Sequence, residues 1–108
     1  MILIFGGVYQ GKLAYAKEQY GERKIINEAD RWILSLIESG ENVEEKVREL
    51  IADNPEAVVI CNDISCGVVP VCATYRKWRD ETGRAMSLLA ADADEVIRMF
   101  CGIPTKLK

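Results

Sequence analysis

The sequence predicts a three-layer α/β domain with a mostly parallel sheet of about four strands. Three observations carry that expectation: short apolar runs suited to strands at 1–5, 57–61 and 95–100, helical apolar spacing between them, and a glycine-rich turn directly after the first run. With 108 residues the chain has room for one domain and a real core, but none for a lid or a separate substrate domain.

The first strand is Met1-Ile2-Leu3-Ile4-Phe5, and Lys12-Leu13-Ala14-Tyr15-Ala16-Lys17-Glu18-Gln19-Tyr20 follows the turn as a helix of good formers that stops at Gly21. Lys24-Ile25-Ile26-Asn27 reads as a short second strand. Helical spacing resumes at Trp32, Ile33, Leu36 and Ile37 and ends at Ser39-Gly40. Asn42 with Glu45 resembles a capping box, and Val43, Val47, Leu50 and Ile51 then form one apolar stripe. Its acids, Glu41, Glu44, Glu45 and Glu49, read as a solvated face near a helix N-terminus rather than as a metal site.

Ala57-Val58-Val59-Ile60-Cys61 is continuously apolar, as a strand covered on both faces should be, and Asn62-Asp63 close it. Ligands in open α/β sheets gather at the carboxyl ends of strands, so this polar pair is a candidate site; a turn using Asn and Asp for backbone tolerance is the competing reading. The longest helix is expected over 71–91. Val71, Tyr75, Trp78, Thr82, Ala85, Met86 and Leu89 share its core stripe, opposite Arg76, Lys77, Asp80, Gly83, Arg84 and Ser87. That second face suits solvent, with a partner subunit or ligand as the alternative. The final strand is Glu95-Val96-Ile97-Arg98-Met99-Phe100, where Arg98 implies an edge position or a head that reaches water. A basic tail, Thr105-Lys106-Leu107-Lys108, follows Gly102-Ile103-Pro104.

The turn itself carries the chemistry. Gly6-Gly7-Val8-Tyr9-Gln10-Gly11-Lys12 has the G-x-x-x-x-G-K form of a P-loop between a strand and a helix, which makes the fold P-loop NTPase-like. Glycines let successive backbone N–H groups point at phosphate oxygens, Lys12 adds a mobile charge, and the helix directs its positive end at the same place. An ordinary glycine-rich turn shares the pattern. Leu13 stands where a P-loop has the serine or threonine that binds magnesium, so phosphate cradling and metal binding come apart here.

Composition excludes several classes. The net charge is -3, which argues against general nucleic-acid binding. No apolar run reaches membrane-spanning length, and Met1 leads straight into a strand without a signal-like segment, so a cytoplasmic location is expected. Four cysteines, Cys61, Cys66, Cys72 and Cys101, lack any C-x-x-C pair and read as free thiols rather than zinc ligands. The chain has no histidine, so no Ser-His-Asp or Cys-His system can be assembled.

The later segments resemble the bifunctional adenosylcobinamide kinase/adenosylcobinamide-phosphate guanylyltransferase family of cobalamin biosynthesis. Cys61-Asn62-Asp63-Ile64-Ser65-Cys66-Gly67-Val68-Val69-Pro70 matches that family's S-N-E-V-G-x-G-I-V-P, and the stretch from Arg76 to Arg84 matches R-x-F-R-D-x-x-G-R. Ala93-Asp94-Glu95-Val96 and the ending Gly102-Ile103-Pro104-Thr105-Lys106-Leu107-Lys108 match A-D-E-V and G-x-P-x-x-L-K, and the Gly6-Gly7 doublet resembles G-G-x-x-S-G-K-S. The stretch Ile25 to Ile33 is similar to V-D-C-L-T-L-W-L, which aligns Asn27 with a Walker B-type aspartate. The family segment holding a guanylylated histidine has no counterpart between the first helix and the second strand.

The resemblance implies a nucleotide, GTP or ATP, held by Gly6, Gly7, Val8, Tyr9, Gln10, Gly11, Lys12 and Leu13, with Asn62 across from the loop. Lys12 and Asp63 are the candidate catalytic residues, and Thr105 and Lys106 are placed near the purine base. Leu13, Asn27 and the missing histidine weigh against bound Mg2+, against guanylyl transfer and against efficient phosphoryl transfer. The expected function is nucleotide or phosphate binding with impaired or no catalysis. The alternatives are an active adenosylcobinamide kinase and a non-catalytic assembly module. A corrinoid is a further candidate partner, and a homo-oligomer is a candidate assembly.

Overall fold

A computed structural model describes residues 1–64 and 72–108. The elements are β1 (Ile2–Gly6), α1 (Lys12–Tyr20), β2 (Ile25–Ile26), α2 (Ala29–Glu38), α3 (Val43–Asp53), β3 (Val58–Asn62), α4 (Ala73–Asp92), β4 (Glu95–Phe100) and β5 (Ile103–Lys106). The sheet runs β2-β3-β1-β4-β5, with β1 central and parallel to both β3 and β4.

Side chains alternate across β1, and this sets the layers. Leu3 joins a cluster with Ile33, Leu36, Val47, Ala85 and Leu89, so α2, α3 and α4 cover one face. Ile2 and Ile4 join Ala16, Val58, Ile60, Ile97 and Met99, with Leu13 packed against them, so α1 covers the other. β1, and β3 as far as Asn62, are apolar because both faces are covered. The predicted cap of α3 is present: Asn42 Oδ1 accepts from the Glu45 N–H at 3.0 Å.

The sheet has a fifth strand that the sequence did not announce. β5 pairs antiparallel with β4 through a hairpin whose two turn residues, Cys101 (φ 51°) and Gly102 (φ 73°), both take left-handed backbone. A two-residue hairpin needs that conformation at both positions, and Asn-Gly or Asp-Gly is its usual signal. Cys-Gly is not, and Pro104 argued against a strand; an edge strand tolerates the proline because one side needs no ladder donors. Arg98 consequently lies on an inner strand, not an edge. Its head is exposed, 5.6 Å from the Phe100 ring centroid, which was the second expectation for this residue.

In α4, Thr82, Ala85 and Leu89 are buried as the stripe predicts, but Tyr75 is 50 % exposed. Tyr75 lies in the helix's first turn, beyond the reach of the core, and its ring packs on Trp78 at 5.9 Å. Val71, the expected start of that stripe, lies outside the described residues, as do Ser65, Cys66 and Gly67 to Pro70 of the motif after β3. No helix among the described residues is long and apolar enough to cross a membrane.

Candidate functional site

β1 ends at Gly6, at the carboxyl edge of the sheet, where α1 departs to one face while β3 and β4 flank the strand. Gly6 is a packing requirement before it is anything else: a Cβ there would lie 2.4 Å from the Met99 carbonyl oxygen of β4. Beyond it the loop turns through Tyr9 (φ 60°) to Gly11 (φ 81°), the N-cap of α1. Among the described residues no side chain caps that helix, so its first backbone N–H groups are on offer to an anion.

Lys12 is 6 % exposed and folds back across the loop, donating from Nζ to the Gly7 carbonyl at 2.5 Å. Burial lowers its pKa below the usual lysine value, opposed by the nearby Asp30 carboxylate. A buried cation aimed at the loop that creates its environment is a group waiting for a negative partner. Leu13 points its bulk at the α1-side core instead of offering an oxygen.

The side chains of Tyr9 and Gln10 bear on whether the phosphate seat is free. Tyr9 is 99 % exposed, and Gln10 Oε1 turns aside to accept from the Cys101 N–H, tying the loop to the β4–β5 hairpin. What lies between the loop and the end of β3 is a cleft of about 250 Å³ whose walls include Val8, Tyr9, Gln10, Gly11, Lys12, Leu13, Asn27, Glu28 and Asn62, so Tyr9 and Gln10 border the seat. That is below the ~300–1,000 Å³ of pockets that enclose a drug-sized ligand, so it suits a phosphate chain with the rest of its carrier outside.

Asn62 lines this cleft, whereas Asp63 lies next to the loop without lining it: the Asp63 N–H bonds to the Gly6 carbonyl at 2.8 Å, which carries the β3–β1 pairing right up to the loop. Thr105 and Lys106 do not. Thr105 is paired with Arg98, and Lys106 Nζ meets Glu95 at 3.1 Å, at the beginning of β4 and hence at the opposite end of the sheet from Gly6. Both are exposed and neither lines the cleft.

One residue was missed. Asp30, in the first turn of α2, is 2 % exposed; its two carboxylate oxygens accept from the Asn62 backbone N–H at 3.2 Å and from Asn62 Nδ2 at 3.4 Å. Trp78 of α4 donates from Nε1 to the Asp30 backbone carbonyl at 2.7 Å, which fixes the start of α2. The available signal was spacing: Asp30, Ile33 and Ile37 recur on one helix face, and an acid on an apolar face asks for a partner. Asn27, the position aligned with the missing aspartate, is exposed on the cleft wall.

Other hollows exist, including one of about 700 Å³ between the start of α3 and the face of α4 that carries Lys77, Arg84 and Ser87. Its charges partly serve each other, as in the 3.0 Å pair of Arg84 with Glu81, and the start of α3 that lines it is already capped by the Asn42 side chain. No group of three or more His, Cys, Asp or Glu side chains among the described residues is arranged to hold a metal.

The family model described as "Cobinamide kinase / cobinamide phosphate guanyltransferase" matches residues 23–107. The bifunctional adenosylcobalamin biosynthesis protein CobU of Salmonella typhimurium is 31 % identical over 86 residues, covering 76 % of this chain and 46 % of that protein. Its namesake in Escherichia coli is 34 % identical over 83 residues, covering 73 % of this chain and 45 % of the relative. The chain thus spans about half the length of the curated relatives it matches, and the glycine loop precedes the residues matched by the family. By sequence and by its α/β architecture, the chain belongs to the CobU family of cobinamide kinases and cobinamide-phosphate guanylyltransferases.

Proposed function

We propose that this chain binds the phosphate chain of a nucleotide, GTP or ATP, in the loop from Gly6 to Lys12, and serves cobalamin biosynthesis with impaired or no phosphoryl transfer. The observation that carries this is the buried Lys12 beside a helix start without a side-chain cap: its charge is poorly solvated and, among the described residues, its direct partner is a carbonyl. A phosphate placed there accepts from Lys12 and from the α1 N–H groups together. Leu13 supplies no oxygen to a cation and the chain has no histidine to carry a guanylyl group, so the same site is poor at turnover.

The test is calorimetric titration of ATP and GTP into the full chain and into Lys12→Ala. Losing a charge-assisted hydrogen bond worth ~1.5–3 kcal/mol weakens binding by roughly tenfold to a hundredfold. Absence of binding by the wild-type chain at millimolar nucleotide overturns the proposal.

A second reading, an active cobinamide kinase, draws on Asp63, whose backbone is tied to Gly6 beside the loop and whose carboxylate stands where the family has glutamate. It requires nucleotide-dependent phosphorylation of adenosylcobinamide that falls on Asp63→Ala. A null result with folded protein and excess magnesium removes it.

A further inference from the structure

The P-loop hydroxyl and the aspartate carboxylate expected beside it are missing from this sequence, at Leu13 and Asn27, yet another carboxylate is buried just behind the cleft. Asp30 accepts from both nitrogens of Asn62, backbone and side chain. Because Nδ2 is turned to Asp30, the amide oxygen of Asn62 is the atom left for the cleft that Asn62 lines. An oxygen with a negative charge behind it suits a cation or its bound water and repels a bare phosphate.

We infer that Asp30 is a positioning residue that makes Asn62 a cation-facing oxygen, so that a phosphate chain is taken up together with a hydrated divalent cation. This rests on the proposal that the loop seats phosphate. Asp30 acts through Asn62 and touches neither phosphate nor cation. The arrangement moves the missing carboxylate three positions along the chain, from position 27 before α2 to position 30 in its first turn, and inserts an amide between it and the ligand. Lys12 completes it, since the same Asp30 charge opposes the cost of burying that lysine.

The test titrates inorganic triphosphate into the full chain, once with a chelator and once with excess Mg2+, for wild type, Asp30→Asn and Asn62→Ala. Wild type binds about tenfold more tightly with Mg2+, a ratio that corresponds to ~1.4 kcal/mol. Asp30→Asn removes a repelling charge, so its metal-free binding tightens by about fivefold while the gain from Mg2+ falls below about twofold. Asn62→Ala keeps the charge; it loses the Mg2+ gain without tightening metal-free binding, and it carries the test should circular dichroism show that Asp30→Asn fails to fold. Parallel weakening in both conditions, with an unchanged Mg2+ ratio, is what a purely structural Asp30 gives and overturns the inference. So does wild-type binding that is indifferent to Mg2+, which leaves the phosphate seat itself standing. No wild-type binding in either condition overturns both.

Discussion

Replacing Gly6 by alanine puts a methyl group 2.4 Å from the Met99 carbonyl oxygen, where real Cβ atoms are not found. Neither side can yield cheaply. Met99 is the register partner of Gly6 across β1 and β4, and β4 is held on its other edge by β5. Relief requires separating the two strands by more than half an ångström at the point where the sheet core is closed. Overpacking of this kind costs ~1–3 kcal/mol. The backbone at Gly6, φ 154°, adds strain for any residue with a side chain, of order 1–3 kcal/mol. The sum, about 2–6 kcal/mol, is a large share of the ~5–15 kcal/mol that holds a domain together. With a urea m-value of ~2 kcal/mol/M, the unfolding midpoint drops by roughly 1–3 M. Gly7 is the control, because among the described residues a Cβ there meets the Gln10 side chain at ordinary contact distance, Cγ at 3.7 Å and Nε2 at 3.8 Å, and Gly7→Ala stays within about 0.5 kcal/mol of wild type. The assay is urea unfolding followed by circular dichroism without any ligand. A Gly6→Ala midpoint indistinguishable from that of Gly7→Ala refutes the reasoning that the first glycine of the loop is required by the sheet.

Thr82 is fully buried and its Oγ1 has no hydrogen-bond partner among the described residues, so Thr82→Val exchanges a desolvated hydroxyl for a methyl of the same shape. Thermal unfolding should rise by several degrees, matching ~1 kcal/mol; a lower midpoint shows that the hydroxyl is used. The thiols should separate by reactivity. Burial pushes Cys61 up to about 12, with Asp30 and Asp63 adding to the shift, whereas backbone N–H groups of Tyr75 and Thr74 lower exposed Cys72. Iodoacetamide near neutral pH therefore alkylates Cys72 at least about a hundredfold faster than Cys61 in the folded chain. Peptide mass mapping over time reads this directly, and similar rates contradict the burial of Cys61.

Much of the fold was legible because each local signal agreed with the tertiary outcome. α1 begins and ends where Lys12 and Gly21 indicate, β3 is the two-faced apolar run, and Asn42 caps α3. The hairpin to β5 was not legible, since Cys101-Gly102 and Pro104 are weak local signals and the strand forms because β4 offers it an edge. Tyr75 was misplaced for a related reason: helical spacing gives a direction around the axis but does not say how far along the helix the core extends.

The site divides in the same way. The sequence by itself determined the loop, its lysine and the loss of the hydroxyl at position 13, because these depend on residue type and on spacing over a few positions. Its motif after β3 also brought Asn62 and Asp63 to the loop, through strand pairing that follows from two apolar runs. Only the tertiary structure decided that Asp30 stands behind Asn62, and that Thr105 and Lys106 lie away from the cleft. Asp30 meets Asn62 across 32 positions, by the packing of α2 on β3, and an antiparallel return carries Lys106 toward the far end of the sheet. Contacts of that range are fixed by which faces the helices bury and which way a strand runs, and no local spacing encodes either.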